Sequence, residues 1–292
     1  MLDFEAFPSR IVCLTEETTE VLYLLGEDRR IVGVSGYSVR PPEARLKPKV
    51  SAFTSAKFDK IMALSPDLVI GFSDLQAEIA RELIARGINV LVFNQRSILE
   101  ILQMILTLAR IVGAGEKGRT LVSGLRDDLE LIAVSAERFA HRPRVFFEEW
   151  NVPLISGIRW VEELIEIAGG TPIFPKLREE QSAKNRIVDP ATVPQLDPEL
   201  IIASWCGMKV NKSVIRSRPG WRQTSAVRNA NIFEVKSTYI LQPGPAALTE
   251  GVRQLHSLLA LVVGVEVPSN LLPAERMDRD FSRPPYNLRP LV

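Results

Sequence analysis

The chain has 292 residues, 46% hydrophobic and 24% charged, which allows two cores of ordinary size and excludes a disordered chain. Its 36 Lys and Arg against 35 Asp and Glu supply no field for nucleic acid or an anionic membrane surface. Two cysteines, Cys13 and Cys206, are too few for a disulfide framework, and two histidines too few for a His-rich zinc site.

The start, Met-Leu-Asp-Phe-Glu-Ala-Phe-Pro, has no basic residue and no apolar run. The expectation for the chain as written is a cytoplasmic protein, or a periplasmic one if a leader precedes it. No apolar stretch reaches about 18 residues, so membrane insertion is not expected. From there, β-branched runs alternate with amphipathic stretches, the pattern of parallel α/β units. A strand over 10–14 leads to a helix over 17–25, capped by Gly26. A strand over 31–34, a helix over 57–64, a strand over 68–70, a helix over 75–86 and a strand over 89–93 follow. The helix over 98–112 puts Ile98, Ile101, Leu102, Ile105 and Leu108 on one face.

A long helix over 116–140 contains no Gly-Ser run and acts as a stiff spacer. A second series then begins: strand 144–147, helix 160–168, strand Leu200–Ala203, strand 231–235 and helix 246–263. The halves look duplicated. Leu64-Ser65-Pro66-Asp67-Leu68-Val69-Ile70 returns as Leu196-Asp197-Pro198-Glu199-Leu200-Ile201-Ile202, and 20–26 and 162–169 are both short helices running into Gly. The predicted fold class is α/β, two Rossmann-like lobes with central sheets joined by a single long helix. The N-terminal lobe covers 1–113, the linking helix 114–141 and the C-terminal lobe 142–265. An irregular extension covers 266–292, ordered only where it packs on a lobe.

Ligands of parallel α/β sheets bind beyond the carboxyl ends of the strands. That rule selects the loops that carry Tyr37 and Arg40, Phe53, Phe72, Gln95, Glu149 and Trp150, Trp205 and Cys206, and Tyr239 and Gln242. Rings recur in these loops although aromatics make up 7% of the chain, and large rings stack well on a flat ligand. Each ring also has a plainer reading, as a plug at the end of its own lobe. Gly113-Ala114-Gly115-Glu116-Lys117-Gly118 matches G-x-G-x-x-G but follows a helix, so it reads as an inter-helix turn. Cys206 is a conceivable nucleophile, but none of these loops holds a His. Glu148 and Glu149 are expected to be solvated or paired with Arg40 or Arg159.

On these residues the chain resembles the class III periplasmic binding proteins, which serve vitamin B12, haem and ferric siderophore importers. The matching stretches are 18–26, Ile31-Val32-Gly33-Val34-Ser35-Gly36-Tyr37-Ser38 with Pro41-Pro42, Ile61 to Ile70, Gly87-Ile88-Asn89-Val90 and Ala168-Gly169-Gly170. Ser-Gly-Tyr-Ser-Val-Arg-Pro-Pro is more particular to the vitamin B12 branch, the nearest likeness. The resemblance covers roughly residues 8–265. It implies two lobes with little hinge motion and a ligand held by cleft aromatics. Tyr37, Phe53 and Phe72 fall where that family places rings, and Tyr239 takes a comparable position in the C-terminal lobe. Phe53 and Phe72 stand where tryptophan is expected. The family docks on its permease through one carboxylate per lobe: Asp59 fits on the first lobe, but 239–245 holds no acid. With no leader in the chain as written, this points to a cytoplasmic offshoot that buffers, senses or delivers a ligand.

The expected function is therefore non-enzymatic: cobalamin, another corrinoid, or a related tetrapyrrole or metal chelate held in the inter-lobe cleft. Arg40, Gln95, Glu149 and Gln242 serve as polar anchors, with no required cofactor and no metal ligands in the protein. The alternatives are an enzyme on a related scaffold using Cys206 or Glu149, and a ligand-sensing regulatory protein whose tail engages a partner.

Overall fold

The computed structural model describes residues 7–274. Contacts divide the chain into two units. The first holds the chain up to Glu130 together with Gln242–Thr249; the second holds Leu131–Leu241 and the residues from Glu250 onward. Among the described residues no helix is long and apolar enough to cross a membrane.

The first unit contains β1 (Ile11–Cys13), α1 (Glu16–Leu24), β2 (Ile31–Ser35), β3 (Lys49–Ala52), β4 (Ser55–Ala56), α2 (Phe58–Ala63), β5 (Leu68–Phe72), α3 (Ala77–Ala85), β6 (Val90–Phe93) and α4 (Ile98–Ile111). Its sheet runs β4-β3-β2-β1-β5-β6, parallel throughout except for the short β3–β4 return. Central strands β1 and β5 are buried at every position, as all-apolar runs in a covered parallel sheet must be. Val12, Leu14, Val50, Ile61, Val69, Ile79 and Leu83 form one core. A 3₁₀ turn, Asp74–Gln76, precedes α3 where continuous helix is expected over 75–86. Ser97 and Glu100 close a capping box at the start of α4. The G-x-G-x-x-G run is an inter-helix turn, with Gly113 left-handed at φ 75° before α5 (Gly115–Ala136). The unit boundary falls inside α5, between Glu130 and Leu131.

The second unit contains β7 (Arg144–Asn151), β8 (Leu154–Ser156), α6 (Arg159–Ile167), β9 (Thr171–Pro172), β10 (Leu200–Ala203), α7 (Lys212–Ser217), α8 (Ser225–Arg228), β11 (Ile232–Glu234), α9 (Ser237–Ile240) and α10 (Val252–Val263). The sheet order is β11-β10-β7-β8, with β9 added on β7. Two expectations change here. The strand over 144–147 continues through Asn151 and folds back antiparallel on β8, pairing Trp150 with Ile155 and Asn151 with Leu154. Trp150 and its cross-strand partner Ile155 favour pleated pairing over a loop. Likewise the segment after β11 holds α9, and the helix over 246–263 opens with a π-helical turn at Ala247–Gly251. Of the extension, Leu271 is buried and the Ala274 N–H donates to Glu250 Oε2 at 2.9 Å; residues 275–292 lie outside the described residues.

The duplicated heptapeptide is also duplicated in hydrogen bonds. Ser65 and Asp197, each preceding a proline, are left-handed, at φ 44° and 41°. Arg10, immediately before β1, and Arg144, the first residue of β7, reach across. Arg10 Nε donates to the Leu64 and Ser65 carbonyls (3.0 and 3.1 Å), and Arg144 Nε to those of Leu196 and Asp197 (3.2 and 2.9 Å). In return, Asp67 accepts the Arg10 N–H and Glu199 accepts the Arg144 N–H, each at 3.0 Å. This reciprocal clamp sets the register of β1 on β5 and of β7 on β10.

Trp221 is the largest fully buried side chain of the second unit, edge-on to Phe146 at 5.7 Å and donating to the Pro190 carbonyl. Trp221→Ala is expected to cost about 3–5 kcal/mol. The check is the urea midpoint of this unit's unfolding transition.

Candidate ligand-binding site

At the carboxyl edge of the first unit, the loops after β2 and β3 are neighbours because the strands pair. The Gly36 N–H donates to the Ser51 carbonyl at 2.7 Å, tying the Tyr37 loop to the Phe53 loop. Gln76 then staples the Phe53 loop to the end of β5. Its Nε2 donates to the Phe53 carbonyl (2.8 Å) while its Oε1 accepts from the Phe72 N–H (2.9 Å). Gly71 is required beside it, since a Cβ there would lie 2.7 Å from Gln76 Oε1. Tyr37, 47% exposed, and half-buried Phe53 therefore sit on a fixed platform. Gln76 is buried inside a helix-like segment and carries no motif, so the sequence offered no signal for it.

Other candidates on this unit are held inward. Phe72 is 6% exposed, and the Arg96 guanidinium lies 4.7 Å from its ring centroid. Gln95 is buried, and its Nε2 donates to the Pro243 carbonyl at 3.0 Å. Arg40 is half-buried and donates from Nε to Glu20 Oε1 at 3.1 Å. Gln242 is half-buried and belongs by its contacts to this unit.

In the second unit, Glu148 is fully buried on β7 and receives three donors: Arg218 Nη1 and Nη2 (2.6 and 2.8 Å) and Trp205 Nε1 (3.1 Å). Trp205 is thus a core residue, packed with Phe146, Ile201, Val210 and Trp221. Glu149 takes both nitrogens of Arg186, at 2.6 and 3.0 Å, and Arg186 also donates to the Ser156 carbonyl. Trp150, half-buried near the hairpin tip, donates from Nε1 to the Val152 carbonyl at 2.9 Å. Cys206 is exposed on the loop after β10. Tyr239 is buried in α9.

Several expectations are corrected by these placements. Of the six rings, Phe72, Trp205 and Tyr239 are buried: Phe72 ends a strand, Tyr239 lies in a helix, and Trp205, on its loop, is turned onto Glu148 and into the core. Tyr37, Phe53 and Trp150 keep accessible surface. The acids Glu148 and Glu149 are indeed paired with arginine, but with Arg218 and Arg186; Arg40 serves Glu20 and Arg159 serves Glu163 and Glu179. Neither histidine supports a nucleophile at Cys206: His256 bonds the Ala168 carbonyl and Ser135 Oγ, and His141 bonds Glu199. The Cys13 thiol is pushed up to about 12 by burial and is inert.

Among the described residues, buried side-chain oxygens without a protein hydrogen-bond partner at or just beyond carboxyl strand ends include Glu17 Oε2, Ser51 Oγ, Gln95 Oε1 and Ser204 Oγ. Glu17 sits in the first turn of α1, where the helix dipole favours its anion by no more than ~2 kcal/mol. Burial outweighs that and pushes its pKa up to about 8, despite the Thr15 hydroxyl donated to Oε1 at 2.6 Å. Burial likewise lifts Glu162 to about 8, against the attraction of Arg186 and Arg178. Both groups keep a proton in the folded chain that the unfolded chain loses near pH 4.5. Their contribution is complete below pH 4.5 and is lost as pH rises through 8, so Tm is expected to fall across that window. Combining Glu17→Gln with Glu162→Gln should flatten the slope, as read by thermal melts from pH 5 to 8.5.

Three comparisons bear on this edge. The vitamin B12-binding protein of Vibrio parahaemolyticus is 26% identical over 248 residues, 82% of this chain and 85% of that protein. An uncharacterized ABC transporter substrate-binding lipoprotein of Bacillus subtilis, YvrC, is 27% identical over 257 residues, 85% and 79% respectively. The crystal structure of a periplasmic haem-binding protein from Pseudomonas aeruginosa superposes with a TM-score of 0.76 at 18% identity, covering 94% of this chain and 99% of that one. The family model described as periplasmic binding protein matches residues 11–239. With that match spanning most of both sheets, the chain belongs to the periplasmic binding protein family, whose members bind ligands for ABC transporters and are not enzymes.

Proposed function

We propose that this substrate-binding protein takes a corrinoid, with haem-type tetrapyrroles and metal chelates as the competing guests, at the carboxyl ends of its strands. The observation that carries the reading is the Tyr37–Phe53 platform: two accessible rings on neighbouring loops, fixed by the Gly36–Ser51 and Gln76 hydrogen bonds. Rings held in place lose little freedom when a flat macrocycle stacks on them. Arg40 supplies a charged donor on the Tyr37 loop. The relatives' names support a corrinoid or haem guest. Docking of a permease through exposed Asp59, in the first turn of α2, belongs to the same proposal.

Cyanocobalamin, dicyanocobinamide and haemin are each to be titrated, following the visible spectrum and Tm; a corrinoid is expected to shift both, and silence from both corrinoids would remove that guest. Tyr37→Ala and Phe53→Ala are each expected to weaken binding about tenfold, roughly 1.4 kcal/mol, with an unchanged circular dichroism spectrum. Cys206→Ala should leave affinity within about twofold, against the enzyme alternative.

A further inference from the structure

The segment Gln242–Thr249 comes from α9 and continues into α10, yet it packs as part of the first unit. Three side chains of that unit seat it. Gln95 Nε2 donates to the Pro243 carbonyl at 3.0 Å. Gly244 lies against α1 so closely that an added Cβ would fall 2.5 Å from Glu17 Cβ. The Ala246 N–H donates to Glu20 Oε2 at 3.1 Å. The other oxygen of that carboxylate, Oε1, is the one that accepts from Arg40. Glu20 is 8% exposed, so its charge is balanced by few partners, and removing one changes what the other feels. Arg40 lies on the loop with Tyr37, immediately beyond β2.

We propose that Glu20 is a positioning residue for the ligand site, one carboxylate that aims Arg40 and holds the Gln242–Thr249 segment, so that a guest engaging Arg40 loosens that segment. This rests on the reading of Arg40 as a ligand contact. The physical link is charge balance. A ligand acceptor that draws Arg40 away removes the cation that opposes protonation of this buried carboxylate, and the neutral acid accepts the Ala246 N–H more weakly. Gln95 and Gln242, at the same segment, then act on ligand binding through chain placement instead of by touching the guest.

The test is hydrogen exchange of the full chain, followed by mass spectrometry on peptides spanning 36–42 and Gln242–Thr249. Glu20→Gln is expected to speed exchange about tenfold in both peptides. Arg40→Met, which keeps the side-chain length, should speed the Gln242–Thr249 peptide, while β7 peptides stay unchanged. Wild-type exchange of that peptide in Arg40→Met would overturn the link. If Glu20→Gln loses its near-ultraviolet circular dichroism, Glu20→Asp replaces it. Faster exchange in both peptides supports the proposal; faster exchange in one alone overturns it. With dicyanocobinamide as probe, each single variant should bind about tenfold more weakly and the double variant no more weakly than Arg40→Met; additive losses would overturn the shared role. Failure of the wild type to bind the probe would remove the corrinoid reading and the ligand-driven step, while the exchange of the unliganded variants still decides the Glu20 link.

Discussion

The clamp that joins each first strand to the strand beside it is the constraint from which the rest follows. An arginine at the start of the strand donates to two carbonyls of a left-handed turn, and an acid after the proline accepts the arginine's own N–H. A parallel sheet has no hairpin to set its register, so the two central strands need such a fastener at their amino ends. Once Asp67 and Glu199 are fixed there, the opposite ends of β1 and β5 in one unit, and of β7 and β10 in the other, are aligned, and the loops that follow emerge at the carboxyl edge of their own sheet.

Charged residues near the edge divide into those that hold the fold and those that keep contact with solvent. Glu148 with Arg218, and Glu149 with Arg186, are two-nitrogen, two-oxygen pairs with almost no water around the arginine of the second. Such pairs contribute little net stability, but removing one partner leaves an unpaired buried charge. Glu148 also orients Trp205 through its indole, so an aromatic that looked available for stacking is fastened in the core. Arg40 differs from them in retaining exposure while pairing with an acid that also holds backbone.

The fold was largely legible. Runs such as Leu68-Val69-Ile70 and Leu200-Ile201-Ile202 are all-apolar because both faces are covered, and the repeated Pro-acid before them marks the same corner twice. The β7–β8 hairpin was not, since Glu148 and Glu149 read as polar loop; their neutralising partners, Arg218 and Arg186, lie 70 and 37 residues away. An accessible ring was legible where it sits just past a strand with small neighbours, as with Tyr37. It was hidden where placement depends on tertiary pairing: Trp205 and Gln95 look no different in sequence whether they face a guest or a carbonyl of their own chain.

The path of the chain bears on how the protein is made. The first unit has its full sheet once β6 has emerged, but Glu20, Gln95 and the Glu17 surface meet Pro243, Gly244 and Ala246 only after nearly all of the second unit has been synthesised. At the ribosome, the early half therefore folds with three polar or tightly packed positions still waiting for their partners. Its contacts are complete only once Gln242–Thr249 has been made, which ties maturation of the first unit to synthesis of most of the second.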